Sequence, residues 1–383
     1  MGTGAQMDDN ESRLVERLST GRAWEEFCDG LKRAGSVVLG NALANTSLDR
    51  AEGYRYLSRL ARLALEKFVE SNDPRTPRFY QLSREDAKIG ADNPDAYYQN
   101  ACLSGEYEYR LRGKRNSVFY LGIGSYAGNF GSSAPSGRTG YIEGEELVVA
   151  DDGSFEIILS TRPQHGNWLP MEPNTSSLIV RQFFLDKANE KAAELHLERI
   201  DGDARAQPLA PVDLAKALQD STAFVKGTAE LFAGWVRIFV ERPNELNLLP
   251  IEKREAAHMD PNQPFFYHGY WSLAPDEALL VSATEPECRY WNFQLNNIWM
   301  ESLDYRHHRI TLNKHSVTKD PAGRFTIVVA HADPGVANWI DTAGHTHGTM
   351  GLRWNGVANP PRPDCRVVKL AEITGNRGRC DGE

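Results

Sequence analysis

A chain of 383 residues, 41% hydrophobic and 25% charged, has room for two or three domains and a substantial buried core. Its net charge of −9 offers no global attraction for nucleic acid or anionic lipid. The longest apolar run, residues 231–240, is too short to span a bilayer and carries Arg237, so no membrane segment is expected.

Residues 1–19 are polar and acidic and read as a disordered tail. They lack the charged-then-apolar layout of a secretory signal, which makes the cytoplasm the expected compartment. Residues 20–97 form a helical N-terminal segment. Trp24, Phe27 and Leu31 share one helical face; Tyr54, Leu57, Ala61, Ala64 and Phe68 form a second stripe, opened by the capping-box spacing of Asp49 and Glu52.

From Tyr98 the texture changes to β-branched and aromatic residues punctuated by glycine turns. "EYEYRLRG", "NSVFYLGIG", "EELVVADDGSFEIILS" and "SSLIVRQFF" read as strands of a first β unit, residues 98–183, with "DDGS" as a hairpin turn. Residues 184–264 form a helical crossover and connector. Leu218, Val225, Phe232 and Phe239 fall seven apart, flanked by Trp235 and Val236, in one long amphipathic helix that ends before Pro243. Strand texture returns in a second β unit, residues 265–372, and residues 373–383 are a tail.

The two β units read as copies. Leu103 and Leu273, Tyr120 and Tyr290, and Phe155 and Phe325 are each 170 apart, and "GNWLP" matches "ANWID" at 171. The expected fold is mainly β with helical additions: duplicated antiparallel β-sandwich or jelly-roll-like units plus N-terminal and central helices. Asn167–Trp168 and Asn338–Trp339 occur in both copies and are read as serving the shared fold.

The stretches "YWNFQLNNIWMESLDYRHHRITLN" and "VVAHADPGVANWIDTAGHTHG", with the earlier "GNWLPM" and "RQFFLDKANEKAAELHLERI", resemble a bacterial family called domain of unknown function 1214. The resemblance covers roughly residues 98–372. It implies a β-sandwich, jelly-roll-like fold with helical additions, and brings no catalytic assignment.

Chemistry is sought where the copies differ. Seven of the ten histidines lie between residues 268 and 347. By the sequence offset His331 replaces Thr161, His345 replaces Asn174 and His347 replaces Ser176. Imidazole exchanges protons near neutral pH, so His331, His345 and His347 are the candidate catalytic groups. Arg306 would clamp an anionic group and Asp304 would orient a histidine. The H-x-H pair with Asp333 or Asp341 would suit zinc, iron or manganese, but the acid expected after the pair is missing from "GTMGLRWNG". A metal-free use is therefore the expectation, and no cofactor is assigned.

Trp271, Tyr290, Trp291 and His307 are the candidate substrate-binding residues, aromatic walls against which a sugar ring or flat ligand could stack. Filling the core is the competing reading of the same aromatics. The glycine-rich "GIGSYAGNFGSS", residues 122–133, lacks the lysine of a phosphate loop and reads as a hairpin loop. Five widely spaced cysteines without a CxxC argue against a disulfide framework or zinc ribbon; Cys288, beside Arg289, has no nearby base. The functional expectation is acid–base chemistry on a small or medium organic molecule in a sandwich cleft. The alternatives are non-catalytic binding of a glycan or lipid-like hydrophobic ligand, and a homo-oligomeric assembly protein.

Overall fold

The computed structural model describes residues 9–128, 137–202, 207–248, 265–357 and 359–375. The ends of both expected tails, the tip of the glycine-rich loop (129–133) and the connector residues 249–264 lie outside the described residues. The chain divides into two compact units, each drawn from three segments: 1–87, 97–182 and 191–231 make the first, and 88–96, 183–190 and 232–383 the second.

The first unit begins with α1 (Asp9–Ser19), α2 (Arg22–Leu39) and α3 (Ser47–Leu65), closed by a π-turn (Glu66–Glu70). Part of the expected tail is therefore helix. The buried stripes are rotated from the expected ones. In α2 the inward face is Ala23, Phe27, Gly30, Ala34 and Val38, and Trp24 is 60% exposed. In α3 it is Gly53, Tyr56, Leu60, Leu63 and Ala64, with Tyr54 exposed. The capping box is Thr46 with Asp49, not Asp49 with Glu52: Thr46 Oγ1 accepts from Asp49 N at 3.1 Å, and Asp49 Oδ2 from Thr46 N at 3.0 Å.

Eight strands follow: β1 (Ala96–Cys102), β2 (Tyr109–Lys114), β3 (Tyr120–Ala127), β4 (Gly137–Glu143), β5 (Ser154–Ser160), β6 (Trp168–Pro170), β7 (Thr175–Phe183) and β8 (Glu194–Arg199). They make two four-stranded sheets, β1-β7-β3-β4 and β6-β5-β2-β8. Two expectations fail here. The "EELVV" half of the expected hairpin is no strand, because Asn167 pins Val148 at both its N–H and its carbonyl. β8 lies where helix was expected; it alternates side chains on an edge, pairing with β2 from Lys114 against Glu194 to Tyr109 against Arg199.

The central helix α4 (Pro211–Phe239) buries Leu218, Val225, Phe232, Trp235, Val236 and Phe239 as its period requires. The division between the units falls within it.

In the second unit β9 (Asn247–Leu248), β10 (Phe265–Ser272), β12 (Tyr290–Asn296), β13 (Thr311–Asn313) and β16 (His347–Asn355) form a sheet ordered β13-β12-β16-β10-β9. β11 (Glu277–Thr284), β14 (Arg324–Ala330), β15 (Trp339–Asp341) and β17 (Asp364–Lys369) form the other, ordered β15-β14-β11-β17, and α5 (Leu370–Gly375) ends the described chain. Alternate residues of both sheets interlock into one core: Leu279 and Val281, Trp291, Phe293 and Leu295, Phe325 and Ile327, Met350, Leu352 and Trp354. Trp291 stacks on Phe325 with centroids 4.4 Å apart.

Strand for strand, β10-β16-β12-β13 repeats β1-β7-β3-β4, and β15-β14-β11-β17 repeats β6-β5-β2-β8. The fold is thus mainly β, a duplicated sandwich with helical additions. β2–β5, β2–β8, β3–β4, β10–β16, β12–β16, β11–β14 and β11–β17 pair antiparallel, and β5–β6 and β14–β15 are short parallel pairs. The repeated Asn–Trp pairs show why. Asn167 Nδ2 donates to the carbonyls of Val148 and Glu156, both at 2.9 Å; Asn338 Nδ2 donates to those of Thr318, at 2.7 Å, and Thr326, at 3.2 Å. Trp168 Nε1 donates to Ser160 O, and Trp339 Nε1 to Ala330 O. One amide thus ties the loop to the strand, and one indole closes the strand end, in both copies.

Candidate functional site

The histidine-rich end of the second unit is built by the turns around β15 and β16. Ala343 and Gly344, at φ 50° and 81°, bend the chain between these strands. His331, just after β14, uses both ring nitrogens: Nε2–H donates to Leu273 O at 3.3 Å, and Nδ1 accepts from Thr342 Oγ1 at 2.9 Å. His345 Nδ1–H donates to the carbonyls of its own turn, Thr342 at 3.3 Å and Ala343 at 3.2 Å. His347 Nδ1 lies 3.2 Å from Thr346 Oγ1. Leu273 N donates to Thr346 O as Leu103 N does to Ser176 O. At this point the structural offset is therefore 170, which sets His345 and His347 opposite Thr175 and Ser177 rather than Asn174 and Ser176.

Beside them, the loop before β13 carries two histidine–carboxylate pairs. His307 Nδ1 is 2.9 Å from Asp304 Oδ2, and His308 Nδ1 is 2.6 Å from Asp341 Oδ2. The His307 hydrogen bond holds the Asp304 carboxyl below the usual range. Arg306 Nε lies 3.6 Å from Asp304 Oδ1, at the exposed surface. The structure therefore brings the expected residues to one end of the second unit but ties them to local partners. Among the described residues no group of three or more His, Cys, Asp or Glu is placed to hold a metal ion. Cys28, Cys102, Cys288 and Cys365 are free thiols.

The candidate aromatic walls divide. Trp271 and Trp291 are fully buried in the core, with Nε1 donating to Thr349 O and to Glu285 Oε2, and they offer no face to a ligand. His307 is exposed, 68% by side chain. Tyr290 lies on the other face of β12, its hydroxyl donating to Asp95 Oδ2 at 2.8 Å. That face was missed from the sequence.

On it Asn292, Gln294 and Asn296 are fully buried. Arg353 of β16 donates to Asn292 Oδ1 at 3.1 Å, Gln294 Oε1 at 2.5 Å and Ala91 O. Gln294 Nε2 donates to Asp92 O at 2.8 Å, and Asn292 Nδ2 to Asn93 Oδ1 at 3.0 Å. Burial pushes the Asp95 carboxyl and the Tyr290 phenol up. The network seals residues 91–95 onto the sheet.

The first unit uses the equivalent face differently. Arg181, the seventh residue of β7 as Arg353 is of β16, donates from Nη1 to Tyr126 OH at 2.7 Å. Among the described residues its other guanidinium nitrogens make no hydrogen bond. Where β12 carries Asn292 and Gln294, β3 carries Gly122 and Gly124. A Cβ at Gly122 would collide with the Tyr141 hydroxyl and lie 2.7 Å from that of Tyr120; one at Gly124 would lie 2.7 Å from the Tyr126 ring. The glycines thus form a floor on which three phenols lie. The Tyr120 and Tyr141 hydroxyls are hydrogen-bonded at 2.5 Å, and burial raises both phenols, Tyr120 further through Tyr141. Arg138 lies 4.9 Å over the Tyr141 ring. Tyr126, Tyr141, Glu143 and Arg181 are half-buried. The signal available in the sequence was the arginine common to both copies beside glycine in one and amide in the other.

The comparisons with known proteins agree with this architecture. The family model described as Protein of unknown function (DUF1214) matches residues 95–184 and 278–355, a stretch in each β unit. A crystal structure of an uncharacterized protein from Burkholderia cenocepacia is 47% identical, covers 94% of this chain and 99% of that one, and has a TM-score of 0.90. The VPA0106 protein from Vibrio parahaemolyticus, 11% identical, covers 82% of this chain and 98% of its own with a TM-score of 0.50, a likeness of fold alone. No curated protein matches. No described helix is long and apolar enough to cross a membrane. A family model that matches a stretch in each copy, and a near-full-length relative at 47% identity, place this chain in the DUF1214 family.

Proposed function

We propose that the chain is a binding protein for a small organic molecule with a flat body and an anionic group, seated on the outer face of the β1-β7-β3-β4 sheet. The observation that carries this reading is the half-buried Arg181 fork beside three phenols on the Gly122–Gly124 floor. A guanidinium gives directional, charge-assisted hydrogen bonds to a carboxylate, and phenol rings offer flat apolar contact with a polar tip. The second copy supports it by contrast: the same face is filled there by amides, and its arginine donates to Asn292, Gln294 and Ala91 O.

Benzoate tests the reading, by calorimetry and thermal shift. It binds the native chain, and Arg181→Met weakens binding by about 10- to 100-fold, the value of one charge-assisted contact of about 1.5–3 kcal/mol. Equal binding by native and variant chains would refute the assignment.

Acid–base catalysis at the histidine end is the second reading. It is favoured by His308, whose Nδ1 is held 2.6 Å from Asp341 while the side chain is 39% exposed, which orients Nε2 to exchange a proton with a bound molecule. Turnover of p-nitrophenyl acetate that disappears in His308→Gln supports it. Turnover unchanged in that variant counts against it.

A further inference from the structure

Within the second unit the end of α4 sets Trp235 and Phe239 against His268 of β10. His268 of β10 is held between two phenylalanines: Phe239 of the helix, at 5.3 Å and 9°, and Phe266 of the same strand, at 5.8 Å and 6°. Trp235, one helical turn before Phe239, has its ring 6.0 Å from the imidazole. His268 is 5% exposed and Trp235 7%. Both carry a buried nitrogen, His268 Nδ1 and Trp235 Nε1, that has no hydrogen-bond partner.

Two orphan polar atoms in one aromatic layer are costly unless something joins them, and native interiors join such pairs with a small polar guest. The missing side chain of Gly351 leaves room for one atom beside the imidazole. His268 pairs across the strands with Gly351, and a Cβ built there would have His268 Nδ1, at 3.8 Å, as its nearest neighbour. Arg353 turns Nη1 and Nη2 toward Asn292, Gln294 and Ala91 instead.

We propose that the gap over Gly351 is a buried binding site for a single hydroxyl group, which accepts from Trp235 Nε1 and pairs with His268 Nδ1. Two ordinary hydrogen bonds meeting at one tetrahedral oxygen join nitrogens about 4.7 Å apart, a span that two rings with centroids 6.0 Å apart can present. A hydroxyl is the group that fits either imidazole tautomer, since its oxygen accepts and its proton donates. A carboxylate would fit only the tautomer whose Nδ1 carries the proton. Burial keeps the ring neutral, its pKa lowered to about 3, with Arg353 adding to the effect. The hydroxyl comes either from a long-lived water or from a small alcohol such as methanol.

Nuclear Overhauser spectra of the full chain distinguish the sources, with the Trp235 indole proton assigned through Trp235→Phe. In plain buffer a cross-peak to a slowly exchanging hydroxyl at the water frequency is expected. In buffer with methanol, a cross-peak to the methyl group shows that an organic hydroxyl enters; persistence of the water peak shows that water holds the site. An indole proton protected from exchange but without a hydroxyl neighbour in either solution overturns the proposal. Gly351→Ser places a hydroxyl in the gap from the chain itself, so the water or methanol peak disappears and the melting temperature rises. A guest peak that survives in this variant places the guest elsewhere and equally overturns the assignment.

Discussion

Acidification should destabilise this protein through His268. The imidazole is stacked between Phe239 and Phe266 and buried, and its pKa is lowered to about 3, first by burial and then by Arg353. In the unfolded chain it titrates near about 6.5. The unfolded state therefore binds the extra proton throughout the window from about 6.5 to about 3, so stability falls as pH falls and is unaffected above that window. A separation of roughly 3.5 pKa units is worth about 5 kcal/mol when fully developed, and about 2 kcal/mol is already lost at pH 5. Urea unfolding at a series of pH values, for the native chain and for His268→Phe, isolates the effect. Phenylalanine keeps the stacked ring and removes the titration. The native chain should lose about 2 kcal/mol more than the variant between pH 7.5 and 5. Parallel curves for the two proteins would show that the ring protonates in the folded state without penalty and would refute the burial argument.

Arg353→Met should cost about 3–5 kcal/mol in urea unfolding, because it leaves Asn292, Gln294 and Ala91 O with buried groups unmatched. Asn167→Ala and Asn338→Ala should destabilise by similar amounts, about 1–3 kcal/mol each, since each removes the same tie between loop and strand; a large inequality would argue that the copies have ceased to depend on it. The double variant His345→Ala/His347→Ala should melt close to the native temperature, since His345 Nδ1 bonds carbonyls of its own turn and His347 Nδ1 its neighbour Thr346, whereas His331→Ala, which cuts a bridge between Leu273 and Thr342, should melt lower.

Much of the architecture was legible because repeated spacing is a strong signal. Tyr120 and Tyr290 begin β3 and β12, and the Asn–Trp pairs make matching bonds in both copies. The long helix was legible for the same reason, its seven-residue apolar spacing surviving intact from Leu218 to Phe239. The N-terminal helices were found but their buried faces were misjudged. Tyr54 and Trp24 are apolar enough to suggest an inward stripe, yet small residues, Gly53 and Gly30, lie on the true inward face. Periodicity gives a helix its period, and only its neighbours give it its phase.

The candidate site was legible as a neighbourhood and misread as a constellation. Counting histidines located the turns around β15 and β16, but local carbonyls and hydroxyls satisfy those rings. The two faces that carry the most unusual chemistry were hidden by alternation itself. In "YWNFQLN" the polar residues look like the solvent side of a half-buried strand, yet β12 is buried on both faces.

By itself the sequence determined the duplication, the β class, the crossover helix and the residues available for chemistry, because these follow from spacing along the chain. Tertiary structure alone decided that residues 91–95 close over one arginine face while glycines leave the other open to three tyrosines. Whether a polar strand face meets water, another segment or a ligand depends on what packs above it, and that partner comes from far along the chain.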